Sequence, residues 1–250
     1  ALVARPPAFG KKFKSFDDIE TRKVAGVKNV VQAGNVVAVL ATSTWAAKKG
    51  RDVLKVVWED VSKLENTADH ETAFAELVNT KAANPSRNDG DIDAALTAPN
   101  RVIEAVYEVP PLSHANMEPL NFFADVHDGK ADLYGPSQVP AQARTAVARA
   151  LNIPPDNITM AMPRQGGGFG RKLQPDNAVE AALISAAAKV PVQMMWTRED
   201  DLQGDFYRPS SMFKLRAAIS PDNQLVAWHN SAAVLSRGRA LSPDDFPAAA

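Results

Sequence analysis

The stretch PRQGGGFGRKLQPD, Pro163–Asp176, combines three consecutive glycines, an aromatic residue, a fourth glycine and two cations. A strand-like run, ITMAMP, overlaps its start, and a strongly apolar helix-like run follows it. Glycine lacks a Cβ and is unfavourable inside regular elements, so this composition predicts a loop between a strand and a helix. Such a loop can turn successive N–H groups toward an anion, and Arg171 and Lys172 favour the same kind of ligand.

Two well-known phosphate-binding motifs do not fit this loop. A Walker loop needs Gly-Lys-Ser/Thr, whereas Gly170 is followed by Arg171 and Lys172. The dinucleotide fingerprint G-x-G-x-x-G, counted from Gly166, would place its last glycine at Arg171. Nucleotide hydrolysis and NAD binding are therefore disfavoured. A tight structural turn against a sheet, or a non-catalytic module that binds a phosphate-bearing ligand, stays open as an alternative.

The composition is that of an ordinary globular protein, with 250 residues, 45% apolar and 23% charged, and a formal net charge of −1. It gives no reason to expect nucleic-acid binding, and no apolar run approaches the roughly 20 residues that span a bilayer. The absence of cysteine excludes disulfides, a cysteine-based zinc site and iron–sulfur clusters ligated by this chain. The four histidines are scattered, so we expect no metal ligands from the protein itself.

Secondary-structure signals divide the chain into three parts. Residues 1–60 alternate β-branched runs with one helical run, as in a small α+β unit. Residues 61–100 are polar and richer in turn formers, and we interpret them as a connector with one helix. Residues 101–250 contain further strands, a helix and a strongly apolar helix. The predicted fold class is α+β. Because the chain begins without methionine and ends soon after a strand-like run, we also expect a fragment of a larger protein.

Two of the predicted helices carry capping signals at their N-termini. The helix in residues 1–60 is expected to begin at Ser43 or Thr44, and the apolar helix at Asp176 or Asn177. Short polar side chains at these positions accept a hydrogen bond from a backbone N–H group that the first helical turn leaves free.

Four ordered stretches resemble the large, molybdenum-cofactor-binding subunit of the xanthine oxidase (molybdenum hydroxylase) family. The similarity is greatest to the isoquinoline 1-oxidoreductase β-subunit branch and its aldehyde-oxidising relatives. The stretches are RQGGGFGRKL, GPSQVP, LSHANMEPLNFFADV and VPVQMMWTREDDLQGDFYRPSS. Gln138 of GPSQVP lies 31 residues before Phe169, a spacing that matches the family. The N-terminal segment from ARPPAFG to VVWED is similar to the family's β-hammerhead domain.

The resemblance implies an architecture and a cofactor site. A β-hammerhead-like domain at residues 1–60 would precede the N-terminal portion of the molybdopterin-binding domain at residues 101–250. The pterin dithiolene would hold the metal, so the chain itself supplies no metal ligand. By resemblance, Gln138 donates a hydrogen bond to the apical oxygen of the metal. The residues expected to line the cofactor are Gly166, Gly167, Gly168, Phe169, Gly170 and, with a weaker claim, Arg171.

The same resemblance implies a reaction and its partners. The enzyme would hydroxylate an N-heterocycle or oxidise an aldehyde with oxygen from water. It would pass electrons to a [2Fe-2S] cluster on a small partner subunit, and the molybdopterin would be in its cytosine dinucleotide form. The family's glutamate base lies beyond residue 250, so no catalytic residue is expected in this chain, which would be inactive alone. Leu173 stands where purine-oxidising members carry a glutamate, which disfavours a purine substrate. The compartment, bacterial periplasm or cytoplasm, is left open.

Several residues near these stretches have a simpler interpretation than a site role. We expect a structural hydrogen bond for His114 and support of the loop by Glu118. Met117 and Trp196 are expected in the core. The charged run at residues 198–201 is expected to form a surface ion-pair cluster that contributes little to stability.

Overall fold

The computed structural model describes residues 1–61, 66–82 and 85–235. Its strands are β1 (Leu2–Ala4), β2 (Lys11–Asp17), β3 (Val27–Ala33), β4 (Val36–Ala41), β5 (Lys55–Asp60), β6 (Arg101–Val109), β7 (Asn121–His127), β8 (Lys130–Tyr134), β9 (Ile158–Ala161), β10 (Val192–Met195), β11 (Ser211–Ile219) and β12 (Leu225–Val234). Its helices are α1 (Ile19–Lys23), α2 (Thr44–Asp52), α3 (Thr67–Asn79), α4 (Ile92–Thr97), α5 (Pro140–Leu151), α6 (Asp176–Ala188) and α7 (Arg198–Gln203). The predicted α+β class is confirmed.

Turn chemistry explains the hairpins that the sequence predicts. The β7–β8 turn places Asp128 at φ 49° and Gly129 at φ 71°. Two successive positive φ values define the tight two-residue turn that Asp-Gly favours, because its twist matches that of the flanking strands. The β3–β4 hairpin likewise turns at Gly34, whose φ is 57°. Local sequence therefore sets the register of both hairpins.

The cap of α2 is Ser43 rather than Thr44. The Ser43 hydroxyl accepts a hydrogen bond of 3.2 Å from the Ala46 backbone N–H group. Replacing Ser43 with alanine is expected to lower the free energy of unfolding by about 1 kcal/mol, because that N–H group loses its partner. Thr44→Ala, the matched control, is expected to change it by less than about 0.5 kcal/mol. Urea denaturation of both variants measures the difference, and equal losses would contradict the assignment.

The predicted cap of α6 is wrong. The residue before the helix is Pro175, and it makes no side-chain capping bond. Asp176 is the first helical residue, and its carboxylate accepts hydrogen bonds from the buried Arg171 guanidinium instead. Asn177 lies inside the helix and donates to the Asn121 backbone carbonyl. The Asp176 side chain, which the sequence pattern assigns to capping, is therefore engaged by Arg171 instead.

The first compact unit consists, within the described ranges, of residues 1–61 and 113–207. It contains a sheet of order β10-β7-β8-β9, in which β8 and β9 are parallel and the other pairs antiparallel. The sheet β1-β4-β3 and the ribbon β2-β5 belong to the same unit. Buried side chains of the two larger sheets, α5 and α6 form one apolar cluster, which includes Val3, Leu40, Phe122, Val147 and Ile184.

The second compact unit consists, within the described ranges, of residues 66–112, without 83–84, and 208–235. It is an antiparallel sheet of order β12-β11-β6 with α3 and α4 packed against it. Its small core is formed by Phe74 and Val78 of α3 with Met212 of β11 and Ala233 of β12. The α3 segment, predicted as a helix within a connector, is therefore part of a packed unit.

Both compact units combine segments that lie far apart in the sequence. Hydrophobic packing joins residues 1–60 to later strands, and it joins the α3 segment to β11 and β12. The predicted domain boundaries stay a prediction.

In the part of the chain that the structure describes, none of the helices has the length and apolar character needed to cross a membrane.

Candidate functional site

The topology of the first unit brings two predicted site segments to one edge of a sheet. Strands β8 and β9 are parallel neighbours, and Tyr134 pairs with Ala161 at their ends. Parallel strands finish at the same edge, so the chain leaving β8 toward Gln138 and the chain leaving β9 toward the glycine loop emerge side by side. The Gly166–Gly170 loop then runs through a 3-10 turn, Arg171–Leu173, into α6.

Gln138 and the glycine loop are in direct contact. The side-chain Oε1 of Gln138 accepts a hydrogen bond of 3.2 Å from the Gly170 N–H group. A Cβ atom at position 168 would lie 2.4 Å from the same Oε1, so only glycine permits this approach. Because Oε1 is engaged, the exposed amide presents its Nε2 as a donor, which has no acceptor among the described residues.

The loop also presents backbone donors. Within the described part of the chain, the N–H groups of Gly167, Gly168 and Phe169 donate to no other protein group. Phe169 is 76% exposed and has a φ of 51°, an uncommon value for a residue with a side chain. A strained residue held at a loop tip beside free donors is typical of a ligand-binding segment.

Arg171 differs from the expectation that it contacts a cofactor. Its side chain is 1% exposed and forms a two-pronged pair with Asp176, at 2.8 and 2.7 Å. Its Nε lies 2.9 Å from Asp205, and its backbone N–H group donates to Gly168. Neither part of Arg171 is free to meet a ligand, so we assign it a structural role.

Lys172 is buried as well, although the sequence associates it with anion binding. Its side chain is 0% exposed, and its Nζ donates to Glu118 Oε2 over 2.6 Å. The same Oε2 accepts the Gly166 N–H group at 2.8 Å. Glu118 therefore supports the loop, as expected, but through a buried cation whose role the sequence analysis missed.

The hydrogen bonds around Glu118 set its ionisation. Burial raises its pKa, but the hydrogen bonds from Lys172, Gly166 and Asn121 outweigh burial and hold the pKa below its usual value. A carboxyl whose pKa is lowered by folding contributes stability above its unfolded pKa, and this contribution is lost as the pH falls through the folded value.

This linkage gives a testable pH dependence. The difference in free energy of unfolding between the wild type and Glu118→Gln is expected to be largest at neutral pH and to shrink below pH 4.5, the ordinary pKa. Taking the difference cancels the titration of the other carboxylates. Urea denaturation at pH 7, 4.5 and 3 measures it, and a gap that widens toward low pH would reverse the assigned direction.

The donor geometry agrees with a comparison against known families. The molybdopterin cofactor-binding domain model matches residues 74–236, which is more than half of the chain. The chain belongs to the molybdopterin cofactor-binding domain family. The matched range starts inside the predicted connector and includes Gln138 and the whole glycine loop.

Individual relatives of this molybdopterin-binding chain confirm the predicted resemblance. A protein of Gluconacetobacter polyoxogenes named membrane-bound aldehyde dehydrogenase (pyrroloquinoline-quinone) is 31% identical over 91% of this chain and 31% of its own length. Isoquinoline 1-oxidoreductase subunit beta of Brevundimonas diminuta is 30% identical over 99% of this chain and 33% of its own. The chain thus spans about a third of these relatives.

A solved structure supports the fold. The aldehyde oxidoreductase from Desulfovibrio gigas superposes with a TM-score of 0.71 at 18% identity, over 93% of this chain and 31% of that one. This likeness concerns the fold alone.

The residues present fit a molybdopterin ligand. The free donors at Gln138 and at Gly167 to Phe169 suit a polar, phosphate-bearing cofactor, and the missing Cβ at Gly168 makes room for the Gln138 side chain against the loop. In the described ranges, the structure shows no group of three or more His, Asp or Glu side chains arranged to hold a metal ion.

The neighbouring residues depart from expectation in two places. His114 makes the expected structural contact, 3.0 Å from Nδ1 to Asp205, and Trp196 is buried as expected. Met117, expected in the core, is 87% exposed. The charged run at 198–201 is not a surface cluster, because Asp201 is only 3% exposed and pairs with Arg198.

Proposed function

We propose that this chain forms one wall of the cofactor site in a molybdenum hydroxylase that oxidises an aldehyde or an electron-poor N-heterocycle. The single observation that carries the proposal is the contact between Gln138 and the glycine loop, which aims the Nε2 donor away from Gly170. The names of the relatives, an aldehyde dehydrogenase and an isoquinoline oxidoreductase, support both substrate classes.

Each residue has a defined task in this proposal. Bound molybdopterin supplies a molybdenum centre that takes up two electrons while oxygen from water is added to the substrate. Gln138 Nε2 would donate a hydrogen bond to the metal end of the bound cofactor, and the N–H groups of Gly167 to Phe169 would hold its polar edge. The exposed Phe169 ring would lie beside the bound cofactor and shape the space next to it.

Other parts of the proposal concern groups outside the described residues. The general base is a glutamate beyond residue 250. The cofactor carries the cytosine dinucleotide, and electrons leave to a [2Fe-2S] small subunit. The remainder of the large subunit completes the pocket.

Leu173 is 39% exposed and cannot hydrogen-bond through its side chain, which supports a less polar substrate than a purine.

The structure gives less support than the sequence to the alternative, a non-catalytic module that binds a phosphate-bearing ligand. It relies on Arg171 and Lys172 as phosphate partners, and both side chains are buried and occupied by carboxylates. The backbone donors alone suit a cofactor cradle as well as a phosphate.

Cofactor analysis tests the proposal. The full large subunit, expressed with its small subunit, is expected to contain near-stoichiometric molybdenum by mass spectrometry and pterin by fluorescence after oxidation. The 250-residue chain alone is expected to retain neither. Absence of both from the complex, or pyrroloquinoline quinone in their place, would overturn the proposal. The quinone is tested because the name of the Gluconacetobacter polyoxogenes relative includes it.

A further inference from the structure

We propose that Glu118 and Lys172 act as a positioning pair, which holds the glycine loop and Gln138 in the geometry that the cofactor requires. This inference rests on the proposed function, because it assigns the pair a purpose at the same site. In this proposal, neither Glu118 nor Lys172 touches the cofactor. It acts through three chain segments that otherwise lie far apart in the sequence: residues 114–120, the Gln138 segment and the loop.

Glu118 holds the first glycine of the loop through both its backbone and its side chain. Its N–H group donates to the Gly166 carbonyl over 3.1 Å, and its Oε2 accepts the Gly166 N–H group over 2.8 Å. A Cβ atom at position 166 would lie 2.6 Å from the Cβ of Glu118. Gly166 at the start of the loop is therefore held by two hydrogen bonds to Glu118, one through its carbonyl and one through its N–H group.

Lys172 connects this anchor to Gln138. Its Nζ donates to Glu118 over 2.6 Å, and its carbonyl accepts the Gln138 backbone N–H group over 3.0 Å. The Gln138 side chain in turn accepts from Gly170. One residue thus links the anchor at the start of the loop to the amide whose Nε2 is the proposed donor. A shift of either member of the pair moves that donor.

The two members of the pair are not equivalent. The Lys172 side chain is 0% exposed, whereas that of Glu118 is 27% exposed and also accepts from Asn121. Loss of the carboxylate would leave a buried ammonium without its anion, which is strongly unfavourable. Loss of the ammonium would leave a carboxylate that keeps Gly166, Asn121 and water as partners. The charge of Glu118 is therefore the more critical of the two.

Positioning of this kind has a measurable consequence. A reacting group must be held within about 0.5 Å of its productive place, and supporting residues provide that precision. Removing a residue that orients a metal site from outside typically costs about 10–100-fold in metal affinity or activity. We expect Glu118→Gln to fall in this range, Lys172→Met to have a smaller effect, and the double variant to recover part of the loss.

The experiment compares three variants, Glu118→Gln, Lys172→Met and their combination, in the full large subunit with its partner. The exposed pair Lys14 and Glu59, 3.9 Å apart with side chains 61% and 51% exposed, supplies matched control variants. Molybdenum and pterin content, the Mo(V) electron paramagnetic resonance spectrum and kcat per bound molybdenum are measured, with the thermal midpoint as a check on folding. In protein from cells grown without molybdate, hydrogen exchange is followed in peptides covering residues 136–139 and 163–173.

The expected result for Glu118→Gln is faster exchange in both peptides, an altered Mo(V) spectrum and lower cofactor content, none of which the control variants show. An unchanged spectrum, exchange and kcat per bound molybdenum would overturn the positioning role, even if the thermal midpoint fell. A wild type without molybdenum or pterin would overturn the proposed function and the pair's purpose with it. The exchange data from that protein would still show whether the pair holds the loop, so the two failures are distinguishable.

Discussion

Replacement of Gly168 by alanine is expected to reduce the cofactor content about tenfold or more while the free energy of unfolding changes little. The new Cβ would lie 2.4 Å from Gln138 Oε1, closer than any non-bonded contact allows. Gln138 ends in a flexible side chain, so it can turn aside at small cost in stability. Turning aside breaks its bond with Gly170 and carries the Nε2 donor away from the cofactor site. Molybdenum and pterin analysis of the purified complex, with urea denaturation in parallel, measures both effects.

Two controls separate this steric effect from other causes. Gly129→Ala adds the same methyl group in open space at a turn with φ 71°, so it is expected to lower stability without affecting the cofactor. Gln138→Ala removes the amide and leaves room for a methyl group at position 168. If the mechanism holds, adding Gly168→Ala to Gln138→Ala causes little further loss. A full additional loss in the double variant would mean that the backbone of the loop, and not Gln138, responds to the new side chain.

Local sequence was sufficient to predict most elements and one half of the site. Strand periodicity, the Asp128–Gly129 turn and the cap at Ser43 depend on residues within a few positions of each other. The resemblance to the molybdenum hydroxylase family, and not local sequence, associates the glycine loop with Gln138. The structure supplies the physical reason, since both follow parallel neighbouring strands and leave the sheet at one edge.

The charges behind the loop could not be predicted in the same way. A cation beside glycines suits an external anion and an internal carboxylate equally well, and only the distant partner decides between them. Lys172 pairs with Glu118, which is 54 residues away in the sequence. Arg171 pairs with Asp205, which lies in another loop. The packing of α3 against β11 and β12 could not be predicted for the same reason. Nothing in residues 66–79 indicates which strands cover the apolar side of this helix.

Arg171 pairs with two carboxylates behind the glycine loop, Asp176 and the buried Asp205. Asp176 binds two of its nitrogens, and Asp205, which is 1% exposed, lies 2.9 Å from the third. The guanidinium carbon also lies 4.8 Å from the centroid of the Phe206 ring. Burial alone would lower the pKa of Arg171, but Asp176 and Asp205 outweigh it and raise the pKa above its usual value. The guanidinium is therefore charged at neutral pH.

Arg171→Met is expected to lower the free energy of unfolding by about 3–5 kcal/mol, because it keeps most of the side-chain volume but leaves buried carboxylates without their cation. Arg171→Lys is expected to fall between this variant and the wild type, since an ammonium cannot serve both Asp176 and Asp205 with a planar fork. Arg164→Met, at an exposed arginine of the same loop, is the matched control and should change stability by less than about 0.5 kcal/mol. Urea denaturation followed by tryptophan fluorescence measures all three. A loss for Arg171→Met no larger than that of the control would mean that water or rearranged donors neutralise the carboxylates, and that the loop does not depend on this cation.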